Sequence, residues 1–168
     1  NMKFLISACV IMTMLAVTSC DSVDKELVSS IQNDIKVMDG LSAPIAALGT
    51  SVNNLAQQVN AAPEGMKAEN DPDFNDLVSL SEGLVQKQQS TLAEYNDLMA
   101  KLKSLVADYS AGKLKTEQVR AEYENLKTGM QGVSDLVGRM SAMTDQMQAQ
   151  FAKMSADWNA KAEGHLNQ

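Results

Sequence analysis

Beyond position 20 this 168-residue chain has no cysteine; its two, Cys9 and Cys20, both lie near the N-terminus. A disulfide, a thiol nucleophile, a Cys-based zinc site and an iron–sulfur cluster are therefore excluded from the chain that follows, and its stability must come from packing. Histidine is as scarce: His165 stands alone, close to the C-terminus. One histidine cannot supply the paired Glu-x-x-His motifs of a helical di-iron site, and it gives no support to a Ser-His-Asp arrangement. Gly129, Gly132 and Gly138 follow no strand, so they form no nucleotide-binding fingerprint. Positive charge is also short. Fourteen Lys and Arg stand against 21 Asp and Glu, a net charge of -7. That balance argues against a nucleic-acid partner, and against electrostatic attachment to an anionic membrane. These absences point away from an enzyme and give no reason to expect a cofactor.

Aromatic residues are only 4% of the chain and prolines number three, whereas Ala, Leu, Met, Gln, Asn and Ser are plentiful. That profile suits long helices with aliphatic cores. The N-terminus stands apart. After Lys3 comes an apolar run from Phe4 to Val17, closed by small and hydroxylated residues. The layout is that of a secretory signal peptide over residues 1–19, and it is short for a transmembrane span, which needs about 20 apolar residues. Val17-Thr18-Ser19-Cys20 resembles a bacterial lipobox: a branched apolar residue, a small or hydroxylated pair, then the obligatory cysteine. The resemblance implies that the chain is cut before Cys20 and that Cys20 carries a covalent lipid. It further implies a place in the bacterial cell envelope, on the periplasmic or cell-surface side. Asp21, directly after the cysteine, resembles a sorting residue, and both inner-membrane retention and surface export stay open. Two or three acyl chains give lasting attachment where one does not, at about 0.8 kcal/mol per buried CH₂.

From residue 20 to 168 the apolar spacing predicts an all-α domain. A first seam runs through Leu27, Ile31, Ile35, Met38, Leu41, Ile45, Leu48, Val52, Leu55 and Val59. Its later steps alternate three and four, the heptad pattern of coiled-coil packing. The stretch from 60 to 74 holds two prolines and a glycine, and a loop is expected from about 62 to 71 within it. Asp71 as cap and Pro72 at the first helical position then open a second helix, which Gly112 closes; its seam runs through Phe74, Leu77, Leu84, Gln88, Tyr95, Leu98, Leu102, Leu105 and Tyr109. Thr116 opens a third helix, with a seam from Val119 through Tyr123, Met130, Val137, Met147 and Phe151 to Trp158. Helices over about 22–61, 72–111 and 116–164 with short connections predict an elongated antiparallel up-down-up three-helix bundle. The third helix should overhang the distal loop by about two turns. Leu27, Tyr109, Val119 and Tyr123 should meet at one end, and Phe74, Phe151 and Trp158 at the other. Pro44 conflicts with the first helix, since an interior proline costs about 3 kcal/mol or bends it. The seam keeps its phase through Pro44, which favours one kinked helix; the other reading is a break, with Ser42 capping a second piece.

Two features go beyond a generic bundle. From Leu41 to Pro63 the chain carries no charge. Its outward positions, among them Ala43, Ala47, Asn54, Gln57 and Gln58, form a candidate face for a protein partner or for self-association, because interface cores are depleted in charge. Met140, Met143 and Met147 lie at helical spacing, and thioethers can hold Cu(I); the simpler reading makes them core or contact residues. The expectation is a non-catalytic structural or protein-interaction lipoprotein anchored through Cys20. The alternatives are a membrane-inserting, pore-forming helical protein, or a Met-based copper or ligand carrier.

Overall fold

The computed structural model describes residues 22–166. The expected signal peptide, Cys20 and Asp21 lie outside the described residues. Those residues are helical and hold no strand, which bears out the all-α class. They form five helices: α1 (Lys25–Asp39), α2 (Ser42–Asn60), α3 (Glu64–Glu69), α4 (Asp73–Ser110) and α5 (Thr116–Leu166). No helix of the described residues is long and apolar enough to cross a membrane.

The single helix expected over 22–61 is two helices, and the reason is local. Pro44 has no N–H, so the carbonyl of Gly40 loses its helical donor. The ladder tightens before the gap: Leu41 N–H donates to the Met38 carbonyl at 2.9 Å, three residues back. Pro44 itself falls in the first turn of α2, where a missing N–H is tolerated. Ser42 does not cap α2. Leu41 holds the cap position, and no side chain makes a capping bond there. Both Gly40 (φ -64°) and Leu41 (φ -84°) stay in the right-handed region, so the break does not reverse the chain.

Three cross-element bonds show what survives the break. The Asp24 N–H donates to the Tyr109 hydroxyl at 2.8 Å. The Tyr95 hydroxyl donates to the Met38 carbonyl at 2.9 Å, and Gln88 Nε2 donates to the Ile45 carbonyl at 3.1 Å. Steps of fourteen and seven residues forward along α1–α2 are thus matched by the same steps backward along α4. One antiparallel heptad register passes from α1 into α2 without a shift.

The expected loop at 62–71 contains α3. This helix has six residues, too few to persist alone. Docking holds it: Met66 is buried, and the Trp158 ring lies against Gly65. Lys161 of α5 also pairs with Glu69 at its end. The expected overhang of α5 is therefore partly covered. The start of α4 differs too. Pro72, joined to Asp71 by a cis peptide, holds the cap position rather than the first helical one, and no side chain caps the helix. Asp71 instead accepts from Asn75. Gly112 does adopt the left-handed conformation, at φ 71°.

The core divides into two clusters. Leu27, Tyr109, Val119 and Tyr123 belong to one, together with Ile31, Met38, Tyr95 and Leu102. Phe74 belongs to the other, with Phe151 and Trp158 packed against it. Both groupings are those expected from the seams.

Candidate functional site

The expected partner face lies on α2. Ala43, Ala47, Asn54, Gln57 and Gln58 are all exposed. Ala43, Ala47, Asn54 and Gln57 follow one another at heptad-compatible steps, and Gln58 is four residues beyond Asn54, so the five share one flank. The flank opposite holds Ile45, Leu48, Val52, Leu55 and Val59 in the core. No residue of α2 carries a charge. Some of its polar groups are satisfied within the helix: Thr50 Oγ1 donates to the Ala46 carbonyl, and Asn53 Nδ2 to that of Gly49 at 2.7 Å. Gln57 also lines a shallow groove of about 310 Å³ shared with Glu82 and Val85 of α4. The α2 flank itself, apart from the groove edge at Glu82, can be covered by a protein without stripping water from an ion.

The methionines separate by burial. Met140 and Met147 are buried in the distal core, whereas Met143 is 43% exposed. Met140 and Met143 both line a groove between α4 and α5. Among the described residues, no three His, Cys, Asp or Glu side chains gather where a metal ion could be held.

Two sets of polar residues make bonds that spacing did not reveal. The first spans the α1–α2 break. Tyr95 and Gln88, one heptad apart on α4 and both buried, donate to carbonyls on either side of it. Gly49 makes the second of these bonds possible, since a Cβ there would lie 2.7 Å from Gln88 Nε2. The available signal was a glutamine at a seam position seven residues from a tyrosine. Burial, and then the charge of Asp39, raise the Tyr95 phenol above its ordinary value; a Ser42 hydroxyl bond opposes this.

The second set ties the start of α1 to the turn between α4 and α5. Asp24 caps α1, accepting from the N–H of Glu26 at 3.0 Å and of Leu27 at 3.3 Å. Its other carboxylate oxygen pairs with Arg120 at 2.5 Å. Tyr109, which accepts the Asp24 N–H, also bonds the Thr116 hydroxyl at 2.8 Å. One turn further on, the Tyr123 hydroxyl donates to Asp34. Burial first, then that bond and the charges of Asp34 and Glu124, push the Tyr123 phenol far up. A cleft of about 460 Å³ opens beside Asp24, Arg120 and Tyr123. At neutral pH the raised phenols of Tyr95 and Tyr123 are protonated donors, suited to holding helices in place rather than to transferring protons.

The chain matches no family model, no curated protein and no solved structure.

Proposed function

We propose that the chain is a non-catalytic lipoprotein of the bacterial envelope, acylated at Cys20, that serves as a structural or protein-interaction module. The supporting observation is a spacing. Only Asp21 to Asp24 separate the lipobox-like cysteine from Lys25, the first residue of α1. Asp24 is already bound to Tyr109 and Arg120. A lipid on Cys20 would therefore be joined to the folded body almost without a spacer. In this reading α1–α2, α4 and α5 are the three columns of an elongated up-down-up rod, with α4 about 57 Å and α5 about 76 Å long. The uncharged flank of α2 is the face offered to a protein partner. Its Asn54, Gln57 and Gln58 also favour docking over membrane insertion, because amides are costly in lipid.

Expression of the full chain in a bacterium, with mass spectrometry of the mature N-terminal peptide, tests the proposal. An acylated peptide beginning at Cys20 is expected, along with loss of membrane association in Cys20→Ala. A wild-type protein recovered soluble and unmodified would overturn it.

A further inference from the structure

The groove between α4 and α5 has features that the fold itself does not use. It encloses about 300 Å³, floored by Leu84, Leu136 and Met140 and edged by Leu80, Gly83 and Met143. Leu80 is 50% exposed, although it is apolar. The two charged residues lining the groove, Lys87 and Arg139, are both basic in a chain of net charge -7. Neither forms an ion pair among the described residues. Gly83 sits well inside the 38-residue α4, where glycine weakens a helix relative to alanine. A Cβ at Gly83 would meet nothing within 4 Å, as at Gly132, Gly138 and Gly164 of α5, whereas one at Gly49, Gly65 or Gly129 would press on a side chain; of the open four, Gly83 alone lines this groove. Packing within the chain explains Gly49, Gly65 and Gly129 and not Gly83. Glycine also permits close approach by another molecule.

The exposed stripe of α4 that passes through the groove reads Asp76, Leu80, Gly83, Lys87, at steps of four, three and four. The steps are identical in reverse. Laid antiparallel on a copy of itself, about a two-fold axis between positions 81 and 82, the stripe sets Leu80 over Gly83 and Asp76 over Lys87, each contact made twice. The exposed apolar side chain then covers the position that lacks one, and each acid faces a base. Asp73 extends the acidic end, while Arg139 extends the basic end from α5. A parallel arrangement would set like charges side by side.

We propose that a second copy of this chain docks in the α4–α5 groove, forming an isologous antiparallel dimer centred between positions 81 and 82. This goes beyond the anchored-module reading, and its geometry uses no residue of the α2 flank or of the anchor.

The test is sedimentation velocity of the full mature chain over a concentration series, in density-matched detergent, with acylation read separately by mass. Wild type should dimerise. Gly83→Met, which fills the receiving position, should sediment as a monomer with unchanged helical circular dichroism. Asp76→Lys and Lys87→Glu each set like charges together and should weaken the dimer about tenfold or more, and the combined variant should restore it. A monomer at every concentration overturns the proposal. So does a dimer indifferent to all these variants, which would use another face. Loss in the single charge variants without recovery in the pair also overturns it, since the groove would then receive something other than an antiparallel copy. None of these outcomes bears on acylation at Cys20.

Discussion

Gly49 and Gln88 work as a pair at a point where the chain has little freedom. The amide of Gln88 is buried and its Nε2 reaches the Ile45 carbonyl, just past the proline that interrupts the first column. An unpartnered buried amide costs about 1–3 kcal/mol, so the bond matters more when lost than when made. Gly49→Ala puts a methyl group 2.7 Å from that nitrogen. The expected result is a loss of about 1–3 kcal/mol in urea unfolding, and a much smaller cost for Gly49→Ala when it is made in a Gln88→Ala background, where no amide is left to obstruct. The two raised phenols make a second prediction. A phenol whose folded value lies above its unfolded value contributes fully below the unfolded value, near 10, and loses that contribution as pH rises beyond it. Stability should therefore be level up to about pH 9 and fall above about 10. Tyr123→Phe should flatten that decline, as followed by thermal unfolding between pH 8 and 12. The seam positions of Tyr95 and Gln88 were legible from spacing alone. Which carbonyls they serve was not, because those acceptors follow from the break between Gly40 and Ser42.

At the scale of elements, the sequence resolved what is periodic. Helices α4 and α5 were expected at 72–111 and 116–164 and occur as Asp73–Ser110 and Thr116–Leu166. Their long seams leave only the end residues open to error. The first column tested two rules against each other. Hydrophobic phase favoured continuity, and the missing N–H of Pro44 favoured a break. Both operate: the phase persists from Met38 to Ile45 while the ladder is interrupted. Helix α3 could not be read at all. Six residues that follow Pro63 and include Gly65 carry no periodic signal, and they become helical through contacts with a residue about ninety positions away. This dependence is testable. Met66→Ala removes the one buried residue of α3 and should release its amides to fast hydrogen exchange, while those in the middle of α4 stay slow. Slow exchange at 64–69 in that variant would mean that α3 has another source of order.

For the whole molecule, charge and packing divide the surface into regions of different character. The end near Asp24 is tied down by a carboxylate, an arginine and two tyrosines. The flank of α2 is neutral, and α4 presents acid and base at opposite ends of one stripe. The α2 face could be located from the sequence because it is defined by an absence of charge. The groove on α4 could not, since recognising it required knowing that nothing in the chain stands over Gly83. The recurring bonds from α1–α2 to α4 have a further consequence. Tyr109, Tyr95 and Gln88 are rungs at whole multiples of seven, so such a body can grow or shrink only by quanta, each about 10 Å of height. A deletion of one heptad from every column would leave a shorter ladder with its rungs aligned. A deletion of five would leave them facing empty air.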